Sequence, residues 1–214
     1  MKPYYTDESA TIYHGDCRQI VPMLGKADLL LTDPPYGIGV DKAMHRSSGK
    51  KYGSAKCAKR TYKKTGWDVA PPRWLFEMLL TKARFGIIWG GNYFEGLPPN
   101  RGWLVWNKMN GKNGFADCEL AWTNLPMAVR MREHRWNGFI RQDNEERWHP
   151  TQKPVGLMEW CVEKAKKADD ILDPFMGAGT TLVAAKRLGR KSIGIELDEE
   201  YCEKAAKRLQ EVNG

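Results

Sequence analysis

The sequence predicts a doubly wound α/β fold with a mostly parallel sheet and an antiparallel hairpin at the sheet edge. Short apolar runs alternate with segments of helical periodicity, and from residue 154 onward helices and strands simply alternate. Parallel strands need crossover helices, which are right-handed and cover both sheet faces. Because 214 residues suffice for one sizeable core, we expect a single domain over 1–214.

Each element follows from a local pattern. ADLLLTD is continuous and apolar, as in a strand covered on both faces, and Pro71 and Pro72 mark a helix start. WLVWNK and CELAWTN lie close enough in sequence to pair as an antiparallel hairpin. The predicted strands are 11–15, 27–33, 85–91, 103–108, 118–124, 170–175 and 191–197, and the predicted helices are 73–84, 154–167, 180–189 and 198–212, with a helical turn within 17–25.

The positive charge is concentrated in one segment. The chain carries a net +8, yet the stretch from Lys42 to Lys64 carries +9 and no acid, so the rest carries −1. Glycine and serine interleave these charges, which predicts a mobile basic loop over 37–66. A solvated insertion is the plain alternative, but a one-signed block also suits a polyanion, above all nucleic acid. The basic residues are Lys42, Arg46, Lys50, Lys51, Lys56, Lys59, Arg60, Lys63 and Lys64.

Several classes of protein are disfavoured by composition. The five cysteines are scattered and form no C-x-x-C pair, so we expect reduced thiols and no zinc ribbon. The four histidines show no H-x-x-x-H spacing, so no metal site is expected. Because no apolar run is long enough to span a membrane and the N-terminus lacks an apolar signal, a cytoplasmic location without membrane contact is expected.

Four acids fall near the ends of predicted strands: Asp16, Asp33, Asp173 and Glu196. In doubly wound sheets ligands bind beyond the carboxyl ends of the strands, so these acids should share one edge. The turn DPFMGAGTT follows one of these strands, but it lacks the lysine of a Walker loop, and Leu182 replaces the third glycine of a dinucleotide fingerprint. A glycine turn with a downstream strand-end acid predicts a nucleoside pocket.

Four motifs together carry a family resemblance: DPPY at 33–36, DPFMGAGTT at 173–181, HPTQKP at 149–154, and the Gly15–Asp16 pair. The sequence resembles the S-adenosylmethionine-dependent DNA amino-methyltransferases of the adenine-N6 and cytosine-N4 type. Because DPPY precedes the glycine turn, the order resembles the permuted beta group of that family. The resemblance implies a class I methyltransferase fold, which is Rossmann-like, and S-adenosylmethionine as cofactor.

The resemblance also implies a role for each matched position. Asp16 and Cys17 would contact the adenine of the cofactor, and Glu196 its ribose. Thr151 and Lys153 would hold the methionine carboxylate, for which a lysine is chemically suited. The implied cofactor-binding residues are Asp16, Cys17, Asp33, Thr151, Lys153, Asp173, Phe175, Gly177, Gly179, Thr180, Thr181 and Glu196.

The DPPY motif is the implied catalytic site, formed by Asp33, Pro34, Pro35 and Tyr36. An exocyclic amine is a poor nucleophile because its lone pair is delocalised into the ring. The Asp33 carboxylate and the Pro34 carbonyl would accept its two hydrogens and aim the lone pair at the methyl group. Tyr36 would stack on the base, which must first flip out of the duplex. A strand-ending turn is the plain alternative, since Asp-Pro pairs are common in turns.

A second DNA contact is expected from Arg130, Arg132 and Arg135, within a short target-recognition region over 107–148. Arginine reads guanine bidentately, although phosphate contact is the default for such residues. The partner is therefore expected to be duplex DNA with a flipped base. A region this short leaves room for a separate specificity or restriction partner, and the sequence does not exclude a homodimer.

Adenine-N6 is the favoured target because the family associates Asp, rather than Ser, before Pro-Pro-Tyr with adenine. Cytosine-N4 remains the alternative target, and methylation of RNA or of another amine is a further one. A non-catalytic nucleic-acid-binding subunit with a vestigial methyltransferase fold is the alternative from a different class. The intact DPPY and glycine motifs argue against it.

Overall fold

The computed structural model describes residues 2–41, 66–110, 116–136, 148 and 151–212. The basic segment Lys42–Lys64 and part of the predicted recognition region lie outside them. The strands are β1 (Tyr5–Thr6), β2 (Ala10–His14), β3 (Ala27–Thr32), β4 (Ala83–Trp89), β5 (Trp103–Asn107), β6 (Cys118–Thr123), β7 (Arg130–Glu133), β8 (Asp170–Asp173) and β9 (Lys191–Glu196). The α-helices are α1 (Cys17–Ile20), α2 (Arg73–Thr81), α3 (Val155–Lys164), α4 (Thr180–Arg187) and α5 (Glu199–Glu211), and short 3₁₀ turns cover Val21–Met23 and Gly91–Tyr93.

Within the described residues the strands form one mixed sheet in the order β1-β2-β9-β8-β3-β4-β6-β5-β7. The central run from β2 to β4 is parallel throughout, which confirms the predicted α/β class. The predicted β5–β6 hairpin is antiparallel, and β6 also pairs antiparallel with β4. The hairpin is not at the edge, however, because β7 adds a further parallel strand outside β5.

Alternate residues of the central strands face opposite layers of helices. Leu29 and Leu31 of β3 belong to one core cluster with Leu157 of α3, whereas Leu30 belongs to another with Phe76 of α2. All five side chains are fully buried. Because strand side chains alternate between faces, a continuous apolar run is what a strand covered on both sides requires. The fold is therefore doubly wound, as predicted.

The strand register brings the predicted strand-end acids to one edge. Leu30 of β3 pairs with Leu172 of β8, so Asp173 lies one residue and Asp33 three residues beyond this pair, at the same edge of the sheet. Asp173 pairs in turn with Gly194 of β9, two residues before Glu196. Since β6 runs the other way, it presents its first residues at this edge rather than its last ones.

The helix and strand ends differ slightly from the predicted ones. Helix α2 ends at Thr81 instead of 84, because the chain must turn there into β4, which begins at Ala83. The Lys82 ammonium fixes this turn by donating to the carbonyl oxygens of Pro22 and Leu24, both at 2.8 Å. Among the described residues, no helix has both the length and the apolar character needed to cross a membrane.

Candidate active site

Asp33 follows the last residue of β3 and is the acid of the DPPY motif. Its Oδ1 atom lies 2.7 Å from the Lys153 ammonium and accepts a hydrogen bond from the Tyr36 hydroxyl at 2.8 Å. The same ammonium donates to the Tyr36 hydroxyl oxygen at 2.9 Å. The predicted catalytic acid and the aromatic residue of its motif are thus joined by a lysine from the HPTQKP motif.

Lys153, expected to hold a cofactor carboxylate, contacts carboxylates of the protein itself. Its side chain is 4% exposed, and its ammonium lies between the carboxylates of Asp33 and Glu119. The ammonium also lies 5.4 Å from the ring centre of Tyr36 and 5.3 Å from that of Trp89, within the range of cation–π attraction. These contacts place Lys153 on the DPPY side of the site, which the motif alone did not indicate.

Glu119 and Lys108 complete the site and were not predicted from the sequence. The Glu119 Oε2 atom lies 3.1 Å from the Lys153 ammonium and 3.3 Å from the Tyr36 hydroxyl. Lys108, which directly follows β5, forms an ion pair with the other oxygen of Glu119. The predicted β5–β6 hairpin could have indicated both residues, because the end of β5 and the start of β6 lie at the edge where the parallel strands end. We call Asp33, Glu119, Lys108 and Lys153 the acid–lysine cluster.

Burial and mutual attraction both act on this cluster. Burial raises the pKa of Asp33; the Lys153 charge lowers it and the Glu119 charge raises it, for a net increase. Burial acts in the same direction on Glu119, but the charges of Lys153 and Lys108 lower its pKa to about 2. Burial lowers the pKa of Lys153, yet the two carboxylates raise it above the usual value. Lys153 is consequently an ammonium at neutral pH.

The Tyr36 ring packs within the protein. It stacks on Tyr93 at a centroid distance of 5.2 Å and meets the edge of Phe94 at 6.0 Å. A Cβ atom at Gly90, where φ is +72°, would lie 2.2 Å from a Tyr36 ring carbon, so only glycine fits there. The predicted stacking of Tyr36 on a base therefore has to share this ring with Tyr93, whose own side chain is 48% exposed.

The glycine turn connects β8 to α4 and is held from β9. The Gly177 amide donates to one oxygen of Glu196 at 3.0 Å, and the Asp198 amide donates to the other at 2.9 Å. Gly177 has a φ of +52°, and a Cβ atom there would meet nothing within 4 Å. Gly179, at a φ of +75°, packs 2.7 Å from the Ala205 methyl carbon by the same construction. The turn thus packs closely at Gly179 and leaves open space beside Gly177.

Asp173 lies between the glycine turn and DPPY, with a residue exposure of 2%. Its Oδ1 atom accepts from the Thr32 hydroxyl at 2.7 Å and from the Phe175 amide at 3.1 Å. Burial raises its pKa to about 6, although hydrogen bonds from Thr181, Thr32 and Phe175 oppose this. The Thr180 hydroxyl accepts from Arg208 at 3.2 Å, so both threonines of the turn serve the fold.

Asp16 and Cys17 lie at the end of β2, beside Glu196. Asp16 caps α1 by accepting from the Arg18 amide at 2.9 Å, and it also forms an ion pair with the Arg18 guanidinium. The Gly15 amide donates to the Glu196 carbonyl at 2.8 Å, which ties the two strand ends together. Burial raises the pKa of Cys17 to about 12, so its sulfur remains a neutral thiol.

The predicted residues therefore form one continuous edge with two parts. The carboxylates of Asp16 and Glu196 and the open space beside Gly177 lie at one part, and the acid–lysine cluster lies at the other. Carboxylate oxygens that already accept amide hydrogens retain lone pairs for ribose hydroxyls, so the donor set fits a nucleoside cofactor. Within the part of the chain that the structure describes, no group of three or more His, Cys, Asp or Glu side chains is arranged to hold a metal ion.

The predicted DNA-contacting residues are placed only in part. Arg130 and Arg132 belong to β7, the edge strand, and Arg135 follows it. Arg130 and Arg135 are exposed, and Arg132 is half-buried. The nine basic residues from Lys42 to Lys64 lie outside the described residues.

Comparison with known proteins supports the resemblance to DNA methylases. A family model described as DNA methylase, of the N6/N4 type, matches residues 103–207, which include Lys108, Glu119, Lys153 and the glycine turn. The chain is 28% identical to the type II methyltransferase M2.LlaDCHI of Lactococcus lactis subsp. cremoris, over 97% of this chain and 92% of that protein.

Solved structures share the fold. The M1.HpyAVI complex with S-adenosylmethionine superposes with a TM-score of 0.55 at 24% identity, covering 94% of this chain and 98% of that one. The cytosine-N4-specific PvuII DNA methyltransferase gives a TM-score of 0.60 at 17% identity, covering 100% of this chain and 90% of that one. The match to the family model over 103–207, the similarity to a relative along nearly its whole length and the shared fold all agree with the four motifs: this chain is similar to the N6/N4 DNA methylases.

Proposed function

We propose that this DNA methyltransferase of the N6/N4 family transfers a methyl group from S-adenosylmethionine to the exocyclic N6 amine of adenine in DNA. One observation supports the proposal most strongly. Asp33 of DPPY and Asp173 at the start of the glycine turn are 140 positions apart in the sequence. The hydroxyl of Thr32, the residue before Asp33, donates a hydrogen bond of 2.7 Å to Asp173 and joins the two motifs. A cofactor in the glycine turn would therefore lie next to the acid that receives the target amine.

We assign the cofactor-binding residues to the edge described above. Glu196 would accept hydrogen bonds from the ribose hydroxyls, and Asp16 and Cys17 would border the adenine at the end of β2. The space beside Gly177 allows close approach of a ligand to the backbone. Thr151, Phe175 and Asp173 would enclose the methionine end. Bound S-adenosylmethionine supplies an electrophilic methyl group.

Asp33 and Pro34 would orient the target amine. The Asp33 carboxylate would accept one amine hydrogen at Oδ1 or Oδ2, and the Pro34 carbonyl would accept the other. Proline fixes the backbone and cannot donate to a neighbouring strand, so this segment leaves the sheet and keeps its acceptors directed at a ligand. Positioning and preorganised charge then provide most of the acceleration. Tyr36 and Tyr93 form the aromatic wall beside these acceptors.

DNA is reached through base flipping, because the amine is inaccessible inside a duplex. Extrusion costs a few kcal/mol, and stacking on an aromatic ring, worth about 1–3 kcal/mol per base, offsets it. The basic segment over 37–66 follows DPPY directly, and we propose that it binds phosphates around the flipped base. The exposed Arg130 and Arg135 would add contacts from the region over 107–148.

Adenine is favoured over cytosine by Asp33 as the first residue of the motif. Either amine offers two hydrogens to the same acceptors, so cytosine-N4 is the alternative, and the fold is shared with a cytosine-N4-specific enzyme. The deciding experiment incubates duplex DNA with the purified protein and S-adenosylmethionine, digests the DNA to nucleosides and identifies them by mass. We expect N6-methyladenine. N4-methylcytosine would overturn the assignment of the base while retaining the family.

A further inference from the structure

We propose that Glu119 is a positioning residue for methyl transfer: it accepts the Lys153 ammonium from Asp33 when the target amine binds. This inference rests on the proposed function, since it assumes that Asp33 receives the amine. Glu119 belongs to β6 and lies outside the four motifs that carry the family resemblance. Its role follows from its contacts with the other members of the acid–lysine cluster.

The Lys153 ammonium contacts one of the two Asp33 oxygens that could accept an amine hydrogen. It lies 2.7 Å from Asp33 Oδ1, the same oxygen that accepts from Tyr36. A target amine that needs this acceptor must share it with the ammonium or displace it. With 4% of its side chain exposed, Lys153 cannot simply turn its charge into water.

Glu119 offers the ammonium a second acceptor without a large movement. Its Oε2 atom is already 3.1 Å from the Lys153 ammonium, only slightly farther than Asp33 Oδ1. The ammonium lies 5.4 Å from the ring centre of Tyr36 and 5.3 Å from that of Trp89. The attraction of these rings stabilises the ammonium whether it pairs with Asp33 or with Glu119. A small shift toward Glu119 would therefore free Asp33 and keep the lysine charge paired.

The charges explain why a second carboxylate is needed. If Glu119 were neutral, a Lys153 ammonium that left Asp33 would be a buried charge without a counter-charge, which is strongly unfavourable. Lys108 opposes the transfer, because its ion pair with Glu119 competes for that carboxylate. The groups that act on Asp33 are Lys153 before α3, Tyr36 after β3, Glu119 on β6 and Asp173 on β8, with Lys108 after β5 acting through Glu119.

Glu119 and Lys108 form one ion pair and carry opposite charges, so replacing them should have opposite effects on the pKa of Asp33. Glu119→Gln removes a negative charge near Asp33, which lowers the pKa of Asp33 and holds Lys153 on it. Lys108→Gln strengthens the net negative charge there and raises the pKa of Asp33. The acid limb of the pH profile of kcat/KM, which reports the free enzyme, should move to lower pH in Glu119→Gln and to higher pH in Lys108→Gln.

The experiment measures kcat and this pH profile for both variants and for Glu119→Asp, with cofactor affinity and thermal unfolding recorded in parallel. We expect kcat to fall about 10- to 100-fold in Glu119→Gln, the size of one hydrogen bond to a charged group, and to recover in part in Glu119→Asp. A purely structural role would lower activity and unfolding temperature together without opposite shifts of the acid limb.

Failure of this inference differs from failure of the proposed function. If the wild type transfers no methyl group to DNA, the proposed function fails and the inference with it. If the wild type is active but both variants shift the acid limb in one direction, or neither shifts it, only the role of Glu119 is refuted. Should Glu119→Gln not fold, the direction of the shift in Lys108→Gln decides alone.

Discussion

Asp173 is a buried carboxyl that binds its proton more tightly than an exposed carboxyl does. The stability of the protein therefore depends on pH. Burial raises its pKa to about 6, well above the value of an exposed carboxyl near 3.9. The folded state therefore binds this proton more tightly than the unfolded state does. The resulting stability is present at low pH and is lost as the pH rises from about 4 to about 6.

Asp173→Asn should remove this dependence, since the amide oxygen can still accept from Thr32 and Phe175. The difference in free energy of unfolding between wild type and variant should change by about 2 kcal/mol between pH 4 and pH 7, in favour of the variant at pH 7. Denaturant unfolding at both pH values measures it, with the exposed Asp117→Asn as the control. A difference that is the same at both pH values would contradict the raised pKa.

The glycine turn between β8 and α4 needs glycine at two positions for partly different reasons. Gly177 and Gly179 both have positive φ, so alanine at either position costs roughly 1–2 kcal/mol in backbone strain. Only Gly179 adds a steric cost, because its Cβ would lie 2.7 Å from that of Ala205 on α5. Gly177 faces open space.

The two alanine variants should therefore differ. Gly179→Ala should lose about 1–3 kcal/mol more stability than Gly177→Ala, because it forces α4 and α5 apart. Gly177→Ala should instead lose affinity for S-adenosylmethionine while keeping most of its stability. Thermal unfolding and calorimetric titration of each variant provide the comparison. Equal losses of stability would show that close packing at Gly179 is not what requires glycine there.

The elements were predictable where one physical cause dominates. The run ADLLLTD predicts β3 because a strand buried on both faces needs an unbroken apolar run. β7 was missed because RMRE lies at the sheet edge with mostly exposed side chains, so no apolar pattern marks it. Glu119 was missed for another reason: the register between β4, β6 and β5 decides that it meets Lys153, and sequence patterns do not give register.

At the scale of the whole molecule, charge is divided between two regions. The segment from Lys42 to Lys64 carries +9, whereas the acid–lysine cluster is balanced, with two acids and two lysines. Such a division suits an enzyme that binds a polyanion at its surface and a neutral base in its interior. The interior needs balanced charge because an unpaired ion there is costly, while the surface needs an excess to attract phosphate.

The central claim is that Asp33, at the end of β3, is the acceptor for the target amine. The most direct test measures transfer of labelled methyl groups from S-adenosylmethionine to duplex DNA by the wild type and by Asp33→Asn, with the exposed Glu95→Gln as control. We expect transfer by the wild type and the control, and a loss of at least about 100-fold in Asp33→Asn with cofactor affinity largely retained. Unchanged transfer in Asp33→Asn would contradict the claim, and no transfer by any of the three would favour a non-catalytic DNA-binding subunit.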